Sequence, residues 1–231
     1  MSAAYQVRQQ GYTKHQGGQA RFYRLAKNQA AKNQATIFSM QVLIFAGSTS
    51  LESLNRKLAS QTAAMARAAG ASVTQLELAG LNIPMYNADL EAQATPADVI
   101  ELKQLMFSHP AWLVCSPEYN GSFTALLKNT IDWASSPIKN NPDWARGSKP
   151  FDGKVVGLLS ASPGLRGGQN SLLHLSAVLR NLQCWVAPKQ YALGHANQAF
   201  DAQGHLKDPL AHKSVAGVVE QVLWAAARLA P

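Results

Sequence analysis

Glu118, Tyr119 and Asn120 sit together in the stretch SPEYNGSFTALLKNTIDWASS, directly behind the apolar run AWLVCS. A carboxylate in such a place is a candidate general base, but no histidine or second carboxylate lies near it in sequence to complete an acid–base pair. Tyr119 offers a flat face, Asn120 offers donors and acceptors, and Pro117 stiffens the turn. The set therefore suits a planar heterocycle with polar edges, or more plainly a turn ahead of an amphipathic helix. A second polar loop, GSTSLESLNRKLA from Gly47, follows the run QVLIFA. It lacks both the G-x-G-x-x-G of a dinucleotide site and the G-x-x-x-x-G-K of a P-loop. Its hydroxyls and its free N–H groups at a helix start form a neutral anion site suited to a phosphomonoester without metal. The alternative is a serine-rich cap. A third loop, SASPGLRGGQN from Ser160, carries three glycines that permit close approach of a ligand, or simple flexibility.

These loops need a scaffold that brings them together. Five strand-like runs, near residues 41–47, 72–78 (an alternating SVTQLEL), 111–116, 154–162 and 184–188, are separated by helical patterns. The helices are expected over about 53–69, 96–108 (with Thr95 as N-cap), a stretch through Leu126 and Trp133, 169–182 and 209–229. Strands that do not alternate, separated by helices, indicate a parallel sheet covered on both faces. Right-handed crossovers then place every strand-to-helix loop at one sheet edge, where open α/β sheets bind ligands. The expected fold is an α/β doubly wound five-stranded sheet.

Composition sets the outer bounds. The chain has 231 residues, 47% apolar and 15% charged, which fits one globular α/β domain. The net charge of +8 raises a nucleic-acid reading. However, Arg8, Lys14, Arg21, Arg24, Lys27 and Lys32 fall in the first 40 residues with no acidic residue among them, and the rest is near neutral. No nucleic-acid partner is therefore expected, and no run reaches the roughly 20 apolar residues of a membrane span. Residues 1–39 read as a basic, poorly ordered extension ahead of a domain over 40–231. A transit-type leader, or a true start at Met40, are the other readings. Cys115 and Cys184 read as buried thiols of a reducing, cytoplasmic compartment rather than a disulfide. No C-x-x-C or H-x-x-x-H spacing suggests a metal.

In this order and spacing, GSTSLESLNRKLA, NIPMYNADLE, SPEYNGSFTALLKNTIDWAS and SASPGLRGG resemble the NADPH-dependent FMN reductase family, which is flavodoxin-like with strand order 2-1-3-4-5. The P-E-Y-N followed by L-K-N-x-I-D-W is the most specific part. The resemblance implies noncovalent FMN, with NADPH or NADH as co-substrate. It assigns Ser48, Ser53, Leu54 and Asn55 to the phosphate end. Pro117, Glu118, Tyr119 and Asn120 would hold the isoalloxazine and ribityl, with Glu118 as a positioning residue. Ser160, Ser162 and Gly164 would approach the pyrimidine edge. It further implies ping-pong two-electron reduction of a quinone or similar acceptor (chromate, azo compound, free flavin) with no catalytic side chain. A homodimer or homotetramer is expected on the same ground.

Some features depart from the pattern. Ser50 stands where the family often has arginine, and Ser135–Pro150 is longer than usual, as if to cover the flavin or extend a subunit contact. Arg166 is a candidate for the NADPH phosphate, and Tyr86 and Asn87 for the substrate side. The rival readings are an electron-transfer flavodoxin, which is usually acidic where this fold is neutral, and a flavin-free interaction module.

Overall fold

In the computed structural model, residues 40–229 are described. The first apolar run becomes β1 (Gln41–Ala46), in which every residue after Gln41 is buried. Helix α1 (Leu54–Ala68) leads to β2 (Ser72–Leu76), then to short α2 (Ala88–Gln93) and α3 (Ala97–Ser108). Strand β3 (Ala111–Cys115) is followed by a small hairpin, β4 (Glu118–Tyr119) and β5 (Ser122–Phe123), and by α4 (Ala125–Ala134). The chain continues through β6 (Val155–Ala161), α5 (Gln169–Asn181), β7 (Trp185–Val186), β8 (Tyr191–Leu193) and α6 (Pro209–Leu229). The extension at residues 1–39 lies outside the described residues.

The main sheet runs β2-β1-β3-β6-β7, every pair parallel, with β8 also on β6. This is the expected 2-1-3-4-5 order with one correction: the fifth strand is two. Val155 and Val156 pair with Trp185 and Val186, whereas Leu159 to Ala161 pair with Tyr191 to Leu193. Pro188 lies between the halves and has no N–H to continue the ladder.

Alternate strand residues build two cores. Val42, Ile44, Leu113 and Leu159 face α1 and α6, whereas Leu43, Phe45, Trp112 and Leu158 face α3, α4 and α5. Cys115 belongs to the first core and Cys184 to the second, so the sheet separates them and both thiols are free. Burial pushes each thiol up to about 12, so neither is a ready nucleophile.

Two further expectations change. Pro96, not Thr95, caps α3, without a side-chain bond, and Thr95 Oγ1 is buried with no partner. The acidic complement to the helix dipole comes from Asp98 in the first turn instead. The long segment after α4 does not cover the carboxyl edge of its own sheet. It folds into two short 3-10 turns, Pro142–Trp144 and Lys149–Phe151, against the far end of α3 and the start of β3. There Trp144 meets Phe107 edge-on at 5.4 Å, and Phe151 meets Trp112 at 5.5 Å. Lys103, fully buried, fastens it: its amine donates to the carbonyls of Ala134 (2.7 Å), Ser136 (2.6 Å) and Gly147 (3.3 Å).

Candidate functional site

The loops after β1, β3 and β6 meet at the carboxyl edge of the sheet around a cavity of about 210 Å³. Ser48, Ser53, Leu54, Asn55, Pro117, Glu118, Tyr119 and Ser162 line it, joined by Ser50, Ala161 and Pro163. Ser50 stands out in the sequence as the position where the family often has arginine, whereas nothing in the sequence marks Ala161 or Pro163 individually. Strand parity could have found Ala161: it falls on the α1 face of β6, while Ser160 falls on the opposite face with Leu158.

At the first loop, Ser53 caps α1, its Oγ accepting from the N–H groups of Asn55 (3.2 Å) and Arg56 (3.4 Å). Ser48 is buried, and its Oγ accepts from Ser50 N–H at 3.3 Å. The N–H groups of Ser48 and Thr49 meet no acceptor among the described residues. No acidic residue stands in the first turn of α1. Open donors at a positive helix end with no nearby carboxylate on that turn constitute an anion-accepting corner. Asn55 does a different job from the one its type suggests. Its amide donates to Ala161 O (2.8 Å) and accepts from Ala161 N–H (2.9 Å), so the side chain braces α1 against the end of β6.

At the second loop, Asn120 (φ 53°) and Gly121 (φ 77°) form the two-residue turn of the β4–β5 hairpin. Two successive positive φ values are the primed turn that Asn-Gly favours, so this hairpin had a sequence signal. Asn120 sits at the tip and does not line the cavity; Tyr119, 57% exposed, presents its ring to solvent beside it. Glu118 is neither idle nor poised as a base. Its Oε2 accepts from the N–H groups of Asn170 (2.8 Å) and Ser171 (3.2 Å) at the start of α5. The helix's own N-cap is Gly168 in the left-handed region (φ 89°), with no side chain to offer. Glu118 caps it from another element.

At the third loop, Ser162 lines the cavity, its Oγ accepting from Gly164 N–H at 3.3 Å, while Gly164 flanks it. Ser160 lies one layer behind. Its Oγ is fully buried without a hydrogen-bond partner, and a Cβ on Gly168 would sit 2.0 Å from it. The loop is folded tightly rather than slack: Ser162 N–H donates to Leu193 O, and Gly164 O accepts from Gly167 and His195 N–H. Arg166 is exposed on it.

Tyr86 and Asn87 are engaged elsewhere. Tyr86 packs edge-on against Trp133 at 5.1 Å and donates its hydroxyl to Glu91, and Asn87 caps α2. A larger hollow, about 480 Å³, opens between α1 and α6 past Met65, His212 and Val219, away from all three loops. Among the described residues no cluster of His, Cys, Asp and Glu could hold a metal ion.

A doubly wound parallel sheet with an anion-ready helix start, an exposed aromatic and a tight serine-glycine loop at one edge defines a flavodoxin-like cofactor-binding domain. The chain belongs to the NADPH-dependent FMN reductase family, whose model matches residues 40–198. It is 34% identical over 157 residues to an NAD(P)H-dependent FMN reductase of Pseudomonas aeruginosa, covering 67% of this chain and 79% of that one. It is 33% identical over 174 residues to a quinone reductase of Pseudomonas putida, covering 74% and 86%. Among solved structures it superposes on the flavoenzyme NAD(P)H:acceptor oxidoreductase FerB from Paracoccus denitrificans with a TM-score of 0.68. That match has 30% identity and covers 80% of this chain and 97% of that one. The protein is thus an oxidoreductase of this family.

Proposed function

We propose that this protein holds FMN noncovalently at the carboxyl-edge cavity and reduces quinones or azo compounds by two electrons at the expense of NAD(P)H. The observation that carries the reading is the cavity itself: it is lined both by the hydroxyls of a helix start with no acidic residue in its first turn and by an exposed tyrosine. Those two features match the dianionic and the planar parts of FMN. Relatives named quinone reductase and NADPH azoreductase support the acceptor class.

Ser48 and Ser53 would offer hydroxyls to the phosphate, and Leu54 and Asn55 their backbone at the helix start, since the Asn55 side chain is committed to Ala161. Pro117, Glu118, Tyr119 and Asn120 would flank the ring and ribityl on the hairpin side. Ser162 and Gly164 would approach its pyrimidine edge, with Ser160 as the unpartnered hydroxyl behind them. FMN, when bound, supplies the two-electron chemistry between the nicotinamide and the acceptor. The protein's own share is to bind, orient and shield, and N–H and hydroxyl donors placed at the cavity need no proton transfer of their own.

Two free, buried thiols support a reducing compartment, and we place the protein in the cytoplasm. Among the described residues no helix is long and apolar enough to cross a membrane. Exposed Leu51, Tyr119 and Leu165 flank the cavity and support a homodimer or homotetramer in which a neighbour meets that rim, a state light scattering would read.

The test begins with FMN titration of the purified protein, followed by anaerobic NADPH. Uptake of FMN and rapid bleaching of its absorbance are expected. A protein that binds FMN yet does not bleach would be the electron carrier, and one that binds none would be neither. Ser48→Ala is expected to weaken FMN binding about tenfold through the lost charge-assisted contact, at nearly unchanged thermal stability. An unchanged dissociation constant would remove Ser48 from the phosphate site.

A further inference from the structure

The anion-accepting corner contains no cation of its own. Gly47, Ser48, Thr49, Ser50 and Ser53 are all neutral, and the one charge within the loop itself, Glu52, is negative. A dianionic phosphate held by hydroxyls and N–H groups alone would leave its charge to be balanced by a helix dipole equivalent to about half an elementary charge.

Arg56 supplies a candidate for the balance from the first turn of α1. Its Nη1 donates to Ser50 O at 3.2 Å, and Ser50 lines the site cavity. Its Nη2 pairs with Glu77 Oε2 at 2.5 Å, and Arg56 and Glu77 both line a smaller cavity of about 160 Å³ behind the loop. The guanidinium lines the second hollow and is tied to the loop by one arm and to the end of β2 by the other. Its side chain is 28% exposed and that of Glu77 46%, so neither charge is fully screened. The other nearby pair, Lys57 with Glu52, is more exposed at 41% and 86% and closes on itself at 3.1 Å. Arg56 is the partly sheltered cation with a direct bond to the loop backbone.

We infer that Arg56 is the electrostatic and positioning partner of the FMN phosphate. It holds the Ser50 carbonyl turned away from the anion and places a positive charge behind the loop, with Glu77 setting how much of that charge reaches the site. This inference rests on the reading of the cavity as the FMN site. It assigns the phosphate's counter-charge to a residue outside the hydroxyl loop.

The experiment compares binding of FMN with binding of riboflavin, which has the same ring and ribityl but no phosphate. Both are followed by quenching of flavin fluorescence, with folding checked by circular dichroism. In the wild type FMN should bind more tightly than riboflavin, and equal affinities would overturn the phosphate-site reading itself. In Arg56→Gln the FMN dissociation constant should rise about fivefold to tenfold, less at high salt, while that of riboflavin stays unchanged. Equal weakening for both flavins, or no weakening for FMN, would overturn the role of Arg56 while leaving the site reading intact. Glu77→Gln gives an independent arm that keeps the guanidinium in place. FMN should then bind a few-fold more tightly, with riboflavin unchanged, as the pairing charge is removed. No change, or a matching change for riboflavin, would overturn the inference even if Arg56→Gln failed to fold.

Discussion

Glu118→Ala should cost the protein most of its grip on FMN, raising the dissociation constant by about tenfold or more, and should lower stability by about 2 kcal/mol. Glu118 touches the N–H groups of Asn170 and Ser171 and anchors the β4–β5 hairpin to the start of α5. Without the carboxylate, two partly buried donors at that helix start lose their acceptor, and Gly168 has no side chain to replace it. The hairpin that carries Tyr119 and Asn120 then has less to hold it beside the cavity. Glu118→Gln keeps the acceptor oxygen and loses only the charge, so it should fall between wild type and alanine in both affinity and melting temperature. If alanine and wild type bound FMN equally, the carboxylate would be a helix cap and nothing more. If glutamine abolished binding as completely as alanine, charge rather than positioning would be at work.

The second large effect concerns Lys103. Lys103→Met leaves the carbonyls of Ala134, Ser136 and Gly147 without their shared donor, at a cost of about 2 kcal/mol near neutral pH. The segment over residues 135–150 should then become the first site of limited proteolysis. A pH signature accompanies the loss. Burial pushes the Lys103 ammonium down from its ordinary 10.5 to about 8, opposed by the charge of Glu91. Below pH 8 the amine is protonated in folded and unfolded chains alike, and its contribution is constant. Between 8 and 10.5 the unfolded chain retains a proton that the folded one releases, so this group makes stability rise with pH. Urea midpoints measured from pH 7 to 10.5 should show that upward contribution in the wild type and lose it in Lys103→Met. Parallel curves would mean that the amine titrates as it does in the unfolded chain.

How much of this was legible depends on range. Apolar runs such as QVLIFA and helical patterns such as Pro209–Leu229 are local signals, and both appear where the sequence puts them. The meeting of three loops at one edge followed from the handedness of the crossovers and needed no distances. The Asn-Gly hairpin was also written locally, but two-residue strands are too short to show alternation. The Asn55 side chain shows why range matters: an amide at a helix start looks like a ligand donor, and only the end of β6, 106 residues on, shows the backbone that it bonds. Glu118 reads as a positioning residue from sequence, but the helix start that it caps lies 52 residues away and has no local signal. Ser135–Pro150 was placed by length, whereas what places it is a buried lysine and two aromatic contacts on α3 and β3.

The break in the fifth strand has a consequence for the ring end of the site. Its second half, Tyr191–Leu193, lies on the last residues of β6 and is followed by Gly194, where a Cβ would come within 2.3 Å of Leu165 O. A Cβ on Gly167 would likewise fall 2.5 Å from the carbonyl carbon of Ala192. Backbone is thus laid directly on backbone, and the serine-glycine loop takes its shape from a strand rather than from whatever it binds. The ordering entropy of that loop is settled when the chain folds, which leaves the affinity of a planar ligand to be set by contacts alone. Amide exchange at Ser162 and Gly167, whose N–H groups donate to Leu193 O and Gly164 O, should accordingly be slow before FMN arrives and nearly the same after.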